Sequence, residues 1–445
     1  MKQQLDQAYA NVMEFGAKGN GYDDDTAAIQ DAINTGKHVL FPQGTVSPVN
    51  NPDGTLNHTE LNPYVLYMPL KFNNEGQKCT FLSGASLELD TNLACVIISG
   101  KSQTFSGLRI STGTSVWPPN KGRPAVPDPC LVIEGADGLL LEDLHVESTH
   151  QSTLVRILNT DGIAIQGGRI SGGGYGHHKD EKNVGLELGS GVKNFSAVSL
   201  AIDNTGFGVV LKGTTETISF LDCTIEQQTE NMIEVQGQVH GLSVVGLHTE
   251  SGGGAYRFFV VQPGAGVYGG VFTGCQLGNL NEAAQSPRRV FVIDGDWHGV
   301  NVYGCEHNAQ SPTVWGGRDA IWEIGRAADI SQSCDMLNQW DHFDNNWSQS
   351  PSSADTGRVV AGTDVARFPI VHSDNGKLVL TAGGIRVDTP KIGFFGAVPA
   401  ARRWKYSVGS DHRRVLGASP ESAYMVLTSL LKDLARLGLI ECEVR

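Results

Sequence analysis

The chain has 445 residues, 55 of them glycine, with 18% charged residues and a formal net charge of −14. It is long enough to bury a sizeable core as one extended domain, and its acidic charge, with no basic stripe, excludes nucleic acid as the expected partner. No apolar run approaches the ~20 residues of a membrane-spanning helix, and the opening MKQQLDQAYANVMEFG lacks an apolar h-region, so neither membrane insertion nor a signal peptide is expected.

The most specific short segment comes first, EFGAKGNGYDDDTAAIQDAI at 14–33. Glycine-rich turns lead to Asp25, which reads as the N-cap of a helix from Thr26 to about Ile33. A strand follows at His38–Phe41, closed by Pro42 and Gly44. The helix is expected to lid a column whose open end exposes an apolar lumen and unpaired strand edges. Phe15, Gly16, Ala17, Gly19, Gly21, Asp24, Asp25, Thr26, Ile29, Gln30, Ala32 and Ile33 resemble the N-terminal motif of the pectate-lyase-like superfamily, with Asn20 where Asp is usual. That resemblance implies a right-handed parallel β-helix, the fold of many phage tailspikes. It says little about the reaction, because hydrolases, lyases and pure binders share the fold.

Down the middle of the chain an eight-residue pattern recurs: apolar, any, apolar, any, any, apolar, any, apolar. It is read at Leu139, Leu141, Leu144, Val146; at Ile163, Ile165, Gly168, Ile170; and at Phe195, Ala197, Leu200, Ile202. Further copies stand at Ile218, Phe220, Cys223, Ile225, at Leu242, Val244, Leu247, and at Val300, Val302, Cys305. Short strands alternating inside and outside at intervals of about 23 to 25 residues predict an all-β solenoid, a parallel β-helix of stacked coils. Cys223, Cys275 and Cys305 share the slot that Leu144 and Leu247 fill elsewhere. They are predicted to be buried thiols rather than disulfides, in keeping with synthesis in a reducing cytoplasm.

Insertions at 112–128, 172–182, 279–288 and 309–318 each begin just after the last apolar position, so they are expected to project from one side and wall a groove. The repeat is lost at 341–356, where Asn, Ser, Pro and Asp read as a linker. A hairpin is expected at 376–387. KIGFFGAVPAARRWKYSV at 391–408 then resembles a segment near the C-terminus of phage and prophage tail proteins, with Ala400 in place of the usual Val. Ser419 and Pro420 open a last helix whose Leu427, Leu430, Leu434 and Leu437 form an apolar seam suited to packing on its own body or between subunits. The expected organisation is an attachment segment at 1–13, cap and first strands at 14–80, β-helix at 81–340, linker at 341–375 and a small β-plus-helix trimerisation region at 376–445.

The outward position after the last apolar residue of successive coils reads Asp90, Ser111, Glu147, Ser171, Asp203, Glu226, Glu250, Gly278 and Asn308. Asp203, Glu226 and Glu250 therefore fall in consecutive coils, ~4.8 Å apart per coil, within reach of the ~5 to 9.5 Å carboxyl separations of glycoside hydrolases. Crowded like charges raise one carboxyl and leave its neighbour ionised, as acid and base catalysis requires. A solvated acidic face is the alternative reading. Glu147 and Glu230 are candidate substrate contacts, with Glu234 a further acid. Trp117, stiffened by Pro118 and Pro119, is a candidate sugar platform, and Tyr175, His177 and His178 crowd one glycine-rich insertion. No metal site or cofactor is expected, since no third ligand is placed beside the adjacent histidines. Asn159-Thr160-Asp161-Gly162 is similar to a polygalacturonase string, and an Asn/Asp/Gly corner accounts for it equally well.

Together the resemblances imply a homotrimeric spike on the surface of a phage or phage-like particle, a gene transfer agent among them, and the groove expected from the repeat register suits binding of bacterial surface polysaccharide, with cleavage by Asp203, Glu226 and Glu250 as the enzyme reading. The alternatives are a non-catalytic adhesin or structural spike, and a polysaccharide lyase.

Overall fold

The computed structural model describes residues 8–50, 56–112, 128–148, 153–172, 183–250, 257–277, 289–303, 305–307 and 320–324, with short strand pairs beyond 371. The chain is a right-handed parallel β-solenoid. Each coil lays down three short strands. In the coil of Phe220 they are Thr214–Leu221, Thr224–Glu226 and Asn231–Val235. The first two legs stack into a 19-stranded sheet and the third into a separate 10-stranded sheet, all by parallel pairing with the coils before and after.

The eight-residue pattern is the inner face of the first two legs. Phe195 pairs with Ile218 and Ile218 with Leu242, while Ala197, Phe220 and Val244 form the next inward row. Cys223 and Leu247 are buried in the shared slot, and Ile202 and Ile225 are buried at the last apolar position. Each fully buried aliphatic or aromatic side chain contributes roughly 1.5–3 kcal/mol, so this repetition is the main source of stability. Towards the later coils the lumen becomes aromatic: Phe259 lies edge-on to Phe272 at 5.1 Å and to Trp297 at 5.7 Å between ring centres. The bend between the two legs demands left-handed backbone, met by Asp143, Ser199 and Asp222 and by glycines elsewhere. Gly168 also has a packing reason, because a Cβ there would lie 2.0 Å from the Leu144 carbonyl oxygen.

The solenoid starts earlier than the sequence suggested. Tyr9–Asn11 pairs in parallel with His38–Phe41, and Ala10 and Val12 are buried. Half of the expected attachment segment is therefore built into the first coil, because its two apolar side chains complete the lumen. Helix α1, Thr26–Asn34, buries Ile29, Ala32 and Ile33. Asp25 precedes it without capping it. Instead its carboxylate accepts the backbone N–H groups of Lys18 (2.6 Å) and Gly19 (3.0 Å), and Asp24 accepts the Thr26 N–H at 3.0 Å. Of the two acidic residues, the first caps the helix and the second fastens the glycine loop. An unforeseen antiparallel hairpin, Val46–Asn50 with Leu56–Leu61, is inserted between the first coils.

Residues Met1–Val359 form one compact unit and Val360–Arg445 another. In the second, His372–Asp374 pairs antiparallel with Lys377–Val379, and Lys391–Ile392 with Ala400–Ala401. The linker and the C-terminal leucine helix lie outside the described residues. Among those described, cysteines 79, 95, 130, 223, 275 and 305 are thiols, not disulfides, and no helix is long and apolar enough to cross a membrane.

Candidate functional site

The outer face of the second leg carries two parallel rows of side chains. The register joins Ser111, Glu147, Ser171, Asp203, Glu226 and Glu250 into one continuous row along the column. At its lower end Ser111 is opposite Glu88, not Asp90, because Leu87 is the residue that pairs with Ile110 and Asp90 falls beyond the strand. Two residues upstream, a second outward row reads Arg109, His145, Arg169, Ala201, Thr224, His248 and Gln276.

The members of the acidic row differ sharply in environment. Asp203 is buried, 7% exposed, and its carboxylate is fully engaged. Arg169 donates to both oxygens at 2.6 and 3.0 Å, Ser171 Oγ donates at 2.7 Å and Asn204 Nδ2 at 2.8 Å. Such a fork fixes the position of the carboxylate. The hydrogen bond and charge of Asp203 push the Arg169 guanidinium above its ordinary range, with smaller help from Glu147 and Glu226.

Glu226 is more open. Its Oε1 lies 3.6 Å from His248 Nε2 of the following coil, at side-chain exposures of 31% and 44%. The opposite ring nitrogen of His248, Nδ1, is 3.2 Å from Gln276 Oε1. Glu147 is exposed on the outer face, and Glu250 takes its place by backbone register. Glu230 is exposed at the next corner, where its N–H donates to the Gly206 carbonyl at 2.8 Å. Trp117, Tyr175, His177 and His178 lie outside the described residues. Asn159-Thr160-Asp161-Gly162 is a corner: Asn159 and Gly162 take left-handed backbone and the Thr160 hydroxyl donates to the Leu158 carbonyl at 2.6 Å.

Three further groups were not singled out by sequence reasoning. Arg169 and His248 occupy outward slots whose importance depends on what the adjacent coil presents. Glu187, on the 10-stranded sheet, is buried beneath Arg156 Nε at 2.8 Å and Lys212 Nζ at 3.5 Å. Two coils on, Glu234 is also buried, and it accepts from the side-chain amides of Asn231, Gln236 and Gln262 at 2.6, 2.8 and 3.0 Å. Elsewhere on the surface, His240, Tyr268 and His298 stack in register, ring centres 5.0 and 5.4 Å apart. Among the described residues no group of three or more His, Cys, Asp or Glu side chains is arranged to hold a metal ion.

Residues 9–55 match the family described as "Rhamnogalacturonase A/epimerase, pectate lyase-like". No curated protein matches the sequence. Among solved structures, the chain is similar to the ORF18 protein of Geobacillus virus E2, at 13% identity and a TM-score of 0.42 over 74% of this chain; the match takes in 63% of that protein's length. A surface adhesin of Streptococcus pneumoniae matches at 10% identity and a TM-score of 0.44, covering 73% of this chain and 91% of the adhesin. A tailspike of an Acinetobacter phage matches at 10% identity and a TM-score of 0.41, covering 73% of this chain and 62% of the tailspike.

Proposed function

We propose that this pectate-lyase-like β-helix is the spike of a phage or phage-like particle, a gene transfer agent among them, and that it binds bacterial capsule or O-antigen along the outer face of its second leg and cleaves it there. The observation that carries the reading is the unbroken row from Ser111 to Glu250, five coil steps or ~24 Å long. A polar strip of this length suits an extended chain of hydroxyl donors better than a small enclosed ligand. The terminal apolar seam at Leu427, Leu430, Leu434 and Leu437 supports a homotrimer, and the string at 391–408 supports a place on the particle surface.

Within the row, Glu226 is the acid, Glu250 stands beside it by register, and Asp203 is the neighbour whose carboxylate holds Arg169 in place. Cleavage by hydrolysis follows from carboxyls on adjacent coils at the spacing glycoside hydrolases use. The reading as a non-catalytic adhesin draws on one observation of its own: four hydrogen bonds already occupy Asp203, as in a surface built to be rigid. The deciding experiment incubates the protein with purified capsular and O-antigen polysaccharides and follows chain length and bound fraction together. Shortened chains support the depolymerase, binding without shortening supports the adhesin, and neither on a broad panel would overturn both.

A further inference from the structure

The lumen slot at the bend between the first and second legs is filled, coil after coil, by Leu200, Cys223, Leu247, Cys275 and Cys305, all buried. The residues that follow them, Ala201, Thr224, His248, Gln276 and Glu306, pair in that order along the sheet, so each slot residue stands one coil above the last. Leu247 holds Cys223 and Cys275 two coil steps apart. Cys275 and Cys305 have no residue between them: their backbones are one strand spacing apart, ~4.8 Å, within the Cα range of about 4.4 to 6.8 Å that a disulfide spans. Both are thiols, 1% and 7% exposed. Their side chains are hydrogen-bonded to each other, so the two sulfurs are already in contact. Cys275 Sγ also lies 3.6 Å from the carbonyl oxygens of Val244 and Thr273.

We infer that Cys275 and Cys305 form an oxidative modification site, a thiol pair that hydrogen peroxide converts into a disulfide joining two coils through the lumen, while Cys223 in the same slot takes no part. Cys305, the more exposed of the two, reacts first. Its sulfur bonds to one peroxide oxygen, the O–O bond breaks, the other oxygen leaves as water with the thiol proton, and a sulfenic acid remains. Cys275 Sγ then attacks that sulfur. The S–S bond forms, the S–O bond breaks, and the hydroxyl departs as water with the Cys275 proton. Two thiols have lost two electrons and two protons, and the peroxide has become two waters. Burial slows the first step. The second is intramolecular, between atoms held in contact, and needs no further encounter. A packed lumen has no room for an alkyl group on sulfur, whereas the finished disulfide removes two hydrogens and adds no atom, so the enclosure that resists alkylation accepts the bond. The bond also ties the longest coil of the series. Cys275 and Cys305 are 30 residues apart, against 24 from Cys223 to Leu247 and 28 from Leu247 to Cys275, and a longer closed loop loses more entropy in the unfolded chain. The inference stands on the lumen register and is independent of any action on glycans.

The test incubates the intact, fully reduced protein with hydrogen peroxide at neutral pH, blocks the remaining thiols in denaturant and maps the peptides by mass spectrometry. A linked Cys275–Cys305 peptide pair that a phosphine reductant separates is expected, with Cys223 recovered as a blocked thiol. The oxidised protein is expected to melt about 5 °C higher than the reduced one, and the reductant to remove the gain. Cys305→Ser forms no link and gains nothing. Leu247→Cys closes the gap in the slot, so peroxide is expected to link Cys223 as well. Sulfinic or sulfonic acid at Cys305 with Cys275 still a thiol, no change at either residue, or a linked pair that forms only in unfolded protein overturns the site. A link to Cys223 in the wild type overturns the slot order on which the pairing stands. A linked protein that melts no higher than the reduced one overturns the tie on the long coil.

Discussion

Arg169 and Asp203 meet across consecutive coils, with the guanidinium Nε and Nη2 on the two carboxylate oxygens at 2.6 and 3.0 Å. Asp203 is nearly buried while Arg169 is more than half exposed, so the arginine is a cover over a charge that has left water. Removing the cover strands the charge. Arg169→Met is expected to cost about 2 kcal/mol, with Ser171 and Asn204 retaining part of the stabilisation. Arg169→Met combined with Asp203→Asn should cost less than the sum of the single changes. Denaturant midpoints for the three variants check it, and strict additivity would show that the two side chains do not interact.

Glu226→Gln keeps shape and most hydrogen bonding but cannot deliver a proton. Turnover on a susceptible polysaccharide should fall by roughly 10² to 10⁴, while the bound fraction persists. Equal cleavage by variant and wild type would remove Glu226 from the chemistry.

Glu88, at the lower end of the acidic row, has its carboxyl raised above the ordinary 4.5, first by burial and then by the charge of Asp90. A raised carboxyl means that the folded state holds the proton more tightly than the unfolded one. Stability is therefore undiminished below the unfolded value and declines as the pH climbs through the folded one. Glu88→Gln should thus raise the melting temperature at pH 7 by about 1–2 °C and leave it unchanged near pH 3.5. A gain of the same size at both values would point to packing rather than charge.

Adjacent glycines at one bend separate backbone conformation from close contact. Gly167 has a φ of 71° with open space where a Cβ would stand, whereas Gly168 has a φ of 98° and the Leu144 carbonyl 2.0 Å from that point. Gly167→Ala should cost about 1 kcal/mol, and Gly168→Ala more than about 3 kcal/mol, because two strands must part. Similar losses at both sites, measured by denaturation, would contradict the register between these coils.

Burial pushes the thiols of Cys79 and Cys223 upward, and Cys275 is raised first by its hydrogen bond with Cys305 and then by burial. A neutral, enclosed thiol is a poor nucleophile. Native protein should leave these four cysteines unmodified by iodoacetamide, and denatured protein should be labelled at each, as peptide mapping would show.

The first two legs of every coil were legible because their signal is local and repeated. Leu141, Ile165, Phe220 and Val244 are buried between more exposed neighbours, and burying such a face needs no knowledge of the next coil. The third strand was not legible for an equally local reason. Where the chain rounds the corner, consecutive side chains are buried, Leu154 with Val155, Met232 with Ile233 and Phe258 with Phe259, so the two-residue period that marks a strand is erased. Asp25 was likewise recognisable as a turn residue, but whether it or Asp24 caps α1 depends on where the glycine loop folds back.

What the sequence by itself determined is the column and the row in which Asp203, Glu226 and Glu250 stand, since both follow from a period that apolar burial enforces. Tertiary structure alone decided what each carboxylate does there. Arg169 precedes Asp203 by 34 positions and His248 follows Glu226 by 22, and these contacts exist only because one coil, insertion included, returns the chain ~4.8 Å above its start. Charge pairing is a matter of ångströms in space. The lengths of the loops between coils, which no apolar period records, set those ångströms.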